Sequence, residues 1–364
     1  MLKITLFRQS HPVLSPGALR EQETYKLPFS QVLESPAASP ATVAKPQRSI
    51  LIDIVRGIAI SLVALGHTNQ GILARSWWHS PANGFRLDWF VYAFHMPAFF
   101  FVSGIFICAS VEKRGPWRFT VEKLRTMIYP YLLLACIFAP IAIFSTVSHS
   151  SVPSGRVFLH RVLVGEFSWF LPTIFFVVIL GMLLRRVPMP LLFVVSAVVS
   201  QYWPMTGLVF VDRGLKHLPF LVVGMWVGRS FERLERIPRW WAAIGAAALF
   251  VVIAACTGNQ VPDNSYWFLP LGLTGTLMLL LLAHCLGHLR PARLLSWLGA
   301  GSIAIFLFSP FFQFFGRELL LRLFHTTAII PQLLVPTALA ILGPAWLYQR
   351  RVKLRLQWLF VWPF

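Results

Sequence analysis

The sequence predicts an all-α polytopic membrane protein with about ten transmembrane helices and both termini in the cytoplasm. Of its 364 residues, 57% are hydrophobic and only 12% are charged, whereas charged residues make up roughly a quarter of soluble domains. Apolar runs long enough to cross a bilayer recur along the chain, and the basic residues gather in alternate connections between them. Composition, run length and charge distribution therefore indicate the same fold class.

Ten apolar runs, each on the order of 20 residues, form the candidate spans. They cover residues 50–72, 90–110, 127–148, 168–185, 189–204, 216–230, 240–257, 266–287, 296–315 and 328–348. The fifth and sixth runs are short, and a short run also suits a tilted or re-entrant segment. Nine or eleven spans are therefore open alternatives.

The distribution of lysine and arginine predicts the orientation, because cytoplasmic loops of membrane proteins are enriched in both. With a cytoplasmic N-terminus, the cytoplasmic side carries 17 basic residues, in 111–126, 185–186, 229–239, 290–293 and from 350 onward. The opposite side carries eight, namely Arg75, Arg86, Arg156, Arg161, Arg213, Lys216, Arg317 and Arg322. Orientation in a membrane thus explains the net charge of +19, and nucleic-acid binding, which requires one solvated basic face, is not predicted.

The chain divides into three parts by composition. Residues 1–48 are rich in Pro, Ser, Ala and Gln and contain no apolar core of a signal peptide, so they are predicted to form a disordered cytoplasmic tail. Residues 49–349 form the transmembrane domain, and residues 350–364 form a basic cytoplasmic tail.

Ionisable side chains in the first apolar run are the strongest candidate site, because a charge inside a bilayer is costly and usually functional. Arg56 and His67 lie eleven positions apart. In a helix this is about three turns, so both side chains point to one side at a separation of about 16 Å along the axis. Asp53 lies on the same face, one turn before Arg56. On the predicted orientation, Arg56 is near the cytoplasmic leaflet and His67 is deep, toward the opposite side.

Each of these side chains has a functional interpretation and a structural one. Histidine titrates near neutral pH, so His67 suits a general base, although a packed histidine bonded to a neighbouring helix is the structural alternative. Arg56 can hold an anion such as phosphate with its forked guanidinium, or it can extend to the cytoplasmic interface. Asp53 is the expected partner of Arg56. The cost of placing Arg56 and His67 together in lipid favours function.

Other polar residues are weaker candidates. His95, in the second run, could join the same cavity or mark the membrane interface. Glu166, before the fourth run, could orient an acceptor or His67, or could simply be an interfacial carboxylate. His284 and His288 have the spacing of a metal pair, but no third ligand is near in sequence, so no metal site is predicted. No GxGxxG or P-loop sequence occurs, and no bound cofactor is predicted.

Several motifs of this chain, in order, resemble the acyltransferase-3 family of polytopic membrane enzymes, which acylate cell-surface or secreted glycans and related acceptors. The first motif is the pair Arg56 and His67, and the third is a basic loop that leads to Tyr129-Pro130-Tyr131. The second is Phe94-His95-Met96-Pro97-Ala98-Phe99-Phe100-Phe101-Val102-Ser103-Gly104. Later segments also fit: Trp169-Phe170-Leu171, Phe220-Leu221-Val222-Val223-Gly224-Met225, and Leu298-Gly299 with Ser302. The resemblance covers about 50–348.

The resemblance implies an integral enzyme of the bacterial cytoplasmic (inner) membrane, with 49–349 as its acyltransferase domain. It implies transfer of an acyl group, acetyl or another short acyl group, from cytoplasmic acyl-CoA to a hydroxyl of a glycan or lipid-linked saccharide. In that scheme Arg56 holds or orients the donor, and His67 deprotonates the acceptor hydroxyl or assists acyl transfer. Acyl-CoA is then a co-substrate and not a resident cofactor.

The chain departs from the family pattern at two places. Many members carry two arginines three positions apart before the proline of the third span, whereas this chain carries Lys123 and Arg125, which become the candidate donor-binding cations. Many members also carry a histidine in the ninth span, at a position that matches Ser309.

Two other function classes stay open on the sequence. A transporter or flippase of a lipid-linked saccharide or acyl donor would also place polar residues inside a helix bundle, although no inverted repeat is visible. A catalytically silent scaffold would tolerate replacement of His67.

Overall fold

The computed structural model describes residues 50–77, 86–146, 155–165, 168–228, 236–257 and 266–362, and its regular structure over these ranges is entirely helical. The helices are α1 (Ile50–Leu73), α2 (Leu87–Tyr92), α3 (His95–Ile105), α4 (Ile107–Arg114), α5 (Pro116–Lys123), α6 (Tyr129–Thr146), α7 (Gly155–Leu163), α8 (Phe170–Leu184), α9 (Met189–Tyr202), α10 (Val209–Val227), α11 (Arg239–Thr257), α12 (Phe268–Leu286), α13 (Pro291–Ala300), α14 (Ser302–Leu323) and α15 (Ile329–Arg350). The tail predicted over 1–48 lies outside the described residues.

The all-α prediction is confirmed for the described residues, and each of the ten predicted runs overlaps a helix. Within the described ranges, six helical stretches are long and apolar enough to cross a membrane: α1, the continuous stretch α2–α4, α11, α12, α14 and α15. The apolar helices α8 and α9 are shorter, with 15 and 14 residues. These helices make the chain an integral membrane protein.

Helix boundaries differ from the prediction where a charge or a glycine interrupts the hydropathy pattern. The sixth run, predicted to begin at residue 216, begins at Val209, because Asp212 lowers local hydropathy without breaking the helix. The ninth run, predicted as one span over 296–315, is two helices, α13 and α14, which Gly301 separates. Since α14 continues to Leu323, Arg317 lies inside a helix and is buried, and its assignment to a loop was wrong.

Helix α1 is the centre of the bundle, with α2, α3, α12, α13, α14 and α15 packed around it. Its crossing with α13 brings backbone against backbone. A methyl group built on Gly57 would lie 3.2 Å from the Gly299 amide nitrogen, and closer still to the Leu295 carbonyl. One built on Gly299 would collide with the Asp53 carbonyl. The absence of both side chains therefore lets α13 lie directly on the turn of α1 that carries Arg56.

A second close crossing joins α3 and α10. A methyl group on Gly104 would lie 2.9 Å from the Met225 amide nitrogen, and one on Gly224 would lie 3.2 Å from the Gly104 Cα. Because lipid gives helices no hydrophobic reason to associate, small residues that permit such contact are a main source of packing energy in membranes. The glycines of the second motif and of the Phe220–Met225 segment therefore meet each other across one interface.

We expect Gly104→Ala to destabilise the bundle by about 1–3 kcal/mol, because the added methyl forces two packed backbones apart. Gly287→Ala is the matched control, since a methyl there would meet no atom closer than 3.4 Å. Thermal unfolding of the detergent-solubilised protein, followed by tryptophan fluorescence, measures both. Equal unfolding midpoints for the two variants would contradict the role of this crossing.

Candidate active site

The predicted polar row lies on one uninterrupted helix. Helix α1 runs from Ile50 to Leu73 without a break, so the helical rise places Arg56 and His67 about 16 Å apart along its axis. Arg56 lies 3.8 Å (Nη1 to Oδ1) from Asp53, its side chain is 28% exposed, and its guanidinium lies over the Phe106 ring. Asp53 itself is buried. The predicted Arg56–Asp53 pair is therefore present, at the α13 crossing.

Two further cations come from the segment after α3: Lys123, which interacts electrostatically with Arg56, and Arg114, which interacts with Lys123. Lys123 ends α5, and Arg114 ends α4. Arg114 is paired with Glu122, whereas no carboxylate of the described residues forms an ion pair with Lys123. Lys123 thus joins Arg56 and Arg114 into a group of three positive charges, and it is the member with no ion-pair partner among the described residues. Such an arrangement attracts phosphate groups.

An irregular turn follows Lys123 directly. Residues Leu124–Ile128 form a single π-helical turn between α5 and α6. Pro130, in the first turn of α6, has no amide hydrogen, and its ring crowds the carbonyl four residues earlier, at Thr126. The wider turn relieves that conflict, and π-helical turns frequently mark functional sites. The turn therefore follows from the Tyr129-Pro130-Tyr131 sequence that the resemblance singled out.

The pKa of Lys123 shows that the positive charges of this cluster repel one another. Burial, followed by repulsion from the guanidinium groups of Arg56 and Arg114, lowers the pKa of Lys123 from 10.5 to about 8. A lysine with this pKa binds an anion at neutral pH and is readily discharged just above it. Lys123 and Arg56 therefore interact with each other electrostatically.

Arg125, the other predicted donor-binding residue, is placed differently. Its side chain is exposed and forms no ion pair within the described part of the chain. Its carbonyl oxygen accepts a hydrogen bond of 3.3 Å from the Trp362 amide, and the Trp362 ring stacks on Tyr129 at 5.8 Å. The C-terminal residues therefore pack beside the cationic end of α1, next to the π-helical turn.

His67 is exposed although most of its neighbours on α1 are buried. Its Nδ1 lies 3.2 Å from the Tyr92 hydroxyl, and the Gln70 amide is within hydrogen-bonding reach of the ring. Where the Tyr92 oxygen accepts the Nδ1 hydrogen, Nε2 keeps its lone pair and can accept a proton. In that tautomer, the contact with Tyr92 orients His67 in the way that a base needs.

Tyr92 also connects His67 to His95. The rings of Tyr92 and His95 lie edge to face, with centroids 4.8 Å apart, and His95 is buried. The His95 Nδ1–H donates to the Val91 carbonyl. The structure therefore brings His95 to the His67 end of α1. Sequence analysis missed Tyr92, although its place three residues before His95 was the available signal.

One face of α14 forms a polar wall against this part of α1. Ser309, Gln313 and Arg317 follow one another at intervals of one turn, and all three are buried. The Gln313 amide donates to the Ala64 carbonyl at 2.9 Å, and Arg317 Nη2 lies 3.5 Å from the Thr68 carbonyl. Because Ser309 precedes Gln313 by one turn, it lies on the same face of α14, toward α1. It is closer than His67 to the N-terminal end of α1. Gln313 and Arg317 were not identified from the sequence as site residues.

Glu166 and His284 are the remaining candidates from the sequence. Glu166 falls outside the described residues. His284 Nε2 bonds the Ile237 carbonyl at 2.8 Å, which ties α12 to the residues before α11. This contact gives His284 a structural role.

Comparison with known proteins identifies the family of this chain. Residues 50–349 match the acyltransferase-3 profile, described as an acyltransferase domain. The chain belongs to the acyltransferase-3 family. The nodulation protein NolL of Sinorhizobium fredii is 31% identical to it over 127 residues, which are 34% of this chain and 33% of NolL. This acyltransferase thus matches about one third of the length of that relative, and the predicted family is confirmed.

The lowered pKa of Lys123 predicts a pH-dependent stability of the acyltransferase. The native pKa of about 8 lies below the ordinary 10.5, so between these values the unfolded chain binds more protons and stability rises with pH. Lys123→Met removes the buried charge. We expect it to raise the unfolding midpoint most below pH 8, with the gain over wild type shrinking as the pH approaches 10.5.

Fluorescence melting at intervals from pH 7 to pH 10.5 measures this effect. Lys113→Met, at an exposed lysine on α4, is the matched control and should show no such trend. A gain for Lys123→Met that stays constant with pH would refute the electrostatic origin and leave only a packing effect.

Proposed function

We propose that this protein is a membrane O-acyltransferase that moves an acyl group from cytoplasmic acyl-CoA to a hydroxyl of a glycan or related acceptor on the other side of the membrane. One observation carries the proposal. A cationic cluster and an oriented, exposed histidine occupy the two ends of a polar row on a single helix, about 16 Å apart. The phosphates and the thioester of acyl-CoA are also separated, by the extended pantetheine arm.

The cationic end of α1 suits the donor. Arg56 and Lys123 supply positive charge for the CoA phosphates, and binding of these anions would relieve the repulsion between the two residues. The exposed Arg125, on the adjoining turn, is available to extend this surface. Trp362 and Tyr129 lie beside it and offer aromatic rings near the bound nucleotide. The donor thus enters at the N-terminal end of α1.

The His67 end suits the chemistry. The acceptor hydroxyl attacks the thioester carbonyl while His67 Nε2 takes its proton, and a tetrahedral intermediate forms. The carbon–sulfur bond then breaks, and the thiolate of CoA recovers a proton from the imidazolium. The acceptor gains the acyl group and CoA leaves as the thiol, so protons and electrons balance. Tyr92 holds the ring through Nδ1, and His95 supports Tyr92 from within the bundle.

The orientation follows from the charge distribution. The connections rich in lysine and arginine, which include those around Arg56 and Lys123, belong to the cytoplasmic side. Ten spans with both termini in the cytoplasm, in a bacterial inner membrane, place the donor end where acyl-CoA is made. His67 then lies deep in the membrane domain, toward the side on which surface glycans are assembled.

Replacing His67 and Arg56 should impair different steps. His67→Ala is expected to lower kcat about 100-fold or more, because the general base is lost. Arg56→Ala is expected to weaken CoA binding by about 10- to 100-fold, because a charge-assisted contact with phosphate is lost. Transfer of labelled acyl groups from acyl-CoA to glycan measures the first, and CoA binding to the purified protein measures the second.

Arg322→Ala is the matched control for Arg56, since Arg322 is largely exposed and pairs only with Glu318 among the described residues. Undiminished label transfer by His67→Ala would contradict the catalytic role. Movement of unmodified acceptor across the membrane with no acylation would instead indicate a transporter.

Tyr92→Phe removes the hydroxyl that bonds His67 and keeps the ring that packs against His95. We expect kcat to fall about two- to tenfold, since one neutral hydrogen bond orients the base. The pH–rate profile should also shift, which a packing defect would not cause. Tyr202→Phe, at an exposed tyrosine, is the control, and an unchanged profile for Tyr92→Phe would remove Tyr92 from the site.

A further inference from the structure

Arg317 is a buried cation that the donor and base assignments leave unused. It is 9% exposed on α14. Its Nη2 makes a long contact of 3.5 Å with the Thr68 carbonyl, and its Nε is buried without a hydrogen-bond partner. No carboxylate of the described residues forms an ion pair with it. Burying a guanidinium in this state is costly, so a compensating anion is expected.

The guanidinium has a place prepared for it on α1. A methyl group built on Gly71 would collide with the guanidinium carbon and both of its terminal nitrogens, so a larger residue there would displace the guanidinium. Gly71 lies four residues after His67, on the same face of the helix, which is about 6 Å further along the axis. Arg317 therefore faces the same side as His67, one turn beyond it.

The surroundings strengthen the positive field at this end. Arg75, two residues beyond the end of α1, is exposed and close enough to interact electrostatically with Arg317. Glu318, the adjacent residue, attracts Arg317 electrostatically but forms its ion pair with Arg322, at 3.1 Å, and not with Arg317. A cationic strip thus continues the polar row from His67 toward the end of α1.

The position of Arg317 distinguishes two possible roles: binding the acceptor, and stabilising the oxyanion of the reacting carbonyl. In the proposed function the thioester approaches His67 from the Arg56 end, so the acyl carbonyl lies at or before His67. Arg317 lies on the far side, where the rest of the acceptor must extend. It is therefore placed to hold the acceptor and not the oxyanion of the reacting carbonyl.

Resting on the proposed function, we infer that Arg317 is an acceptor-binding residue that selects acceptors carrying an anionic group, a carboxylate or a phosphate, about one helical turn beyond the acylated hydroxyl. A sugar acid would supply the carboxylate, and a phosphorylated or lipid-linked saccharide would supply the phosphate. The planar guanidinium can bind either in a two-point fashion.

Binding and transfer are tested separately. Glucuronate oligosaccharides, glucose phosphates and neutral glucose oligosaccharides are added to the purified full-length protein, and the shift of the unfolding midpoint reports binding. We expect the wild type to be stabilised by one or both anionic probes and not by the neutral one. Arg317→Gln should weaken binding of the anionic probe about 10- to 100-fold and leave CoA binding unchanged.

Arg317→Lys, which keeps the charge and loses the fork, should retain part of this preference. Gly71→Ala, which displaces the guanidinium without removing it, should reproduce the selective loss. Arg322→Gln, at an exposed arginine of the same helix, is the control and should behave as wild type. The two anionic probes decide between carboxylate and phosphate.

Equal binding of charged and neutral probes by the wild type would overturn the inference, as would an equal loss of transfer to all acceptors in Arg317→Gln, which indicates oxyanion stabilisation. If Arg317→Gln does not fold, Arg317→Lys and Gly71→Ala carry the same comparison. Charge-selective binding without transfer of label from acyl-CoA would contradict the proposed function and not the anion site.

Discussion

The backbone contact between α1 and α13 is the constraint on which the rest of the site depends. Charged groups persist within a membrane only where other helices exclude lipid and supply polar partners. Gly57 and Gly299 let α13 lie against the turn of α1 that bears Asp53 and Arg56. A side chain at either glycine would separate the helices and expose that turn to lipid or water. The glycines of the motifs are therefore as necessary to the site as its charges.

The two ends of α1 present similar electrostatic problems, because each holds positive charge in an unfavourable place. At the N-terminal end, Arg56 and Lys123 are held close enough to repel each other. At the other end, Arg317 is buried with an unpartnered N–H. Neither arrangement favours the empty protein, and a bound anion would relieve each of them, as we propose. Stability given up in this way is a common feature of binding sites, because the ligand supplies the missing partner.

The sequence was sufficient for features that lie within one continuous helix and insufficient for those shared between helices. Arg56 and His67 could be related in advance because the rise and rotation of an α-helix are fixed, and α1 has no interruption. Tyr92 reaches His67 from α2, and Arg317 reaches the neighbouring turn of α1 from α14. The periodicity of α1 predicts neither contact. Arg317 was even assigned to a loop, because hydropathy penalises a charge that Gly71 in fact accommodates.

Lys123 and Arg125 show a second limit of prediction from the sequence. Two positions separate them, so a regular helix would point them to different faces, but the sequence does not say which face meets Arg56. The π-helical turn that follows from Pro130 changes the rotation between α5 and α6. Only the structure shows that Lys123 is the residue coupled to Arg56, while Arg125 faces solvent and bonds Trp362 through its backbone.

The serine at position 309 reduces the number of candidates for the group that takes the proton of the acceptor. Many family members carry a histidine at the matching position, whereas a serine hydroxyl has no titratable nitrogen near neutral pH. Ser309 is buried on the α14 face that touches α1, so that wall contributes hydrogen bonds and a fixed charge but no base. His95 is buried, and its Nδ1–H is committed to the Val91 carbonyl. Among these positions His67 alone combines a titratable ring with exposure, which supports our proposal that His67 takes the proton of the acceptor.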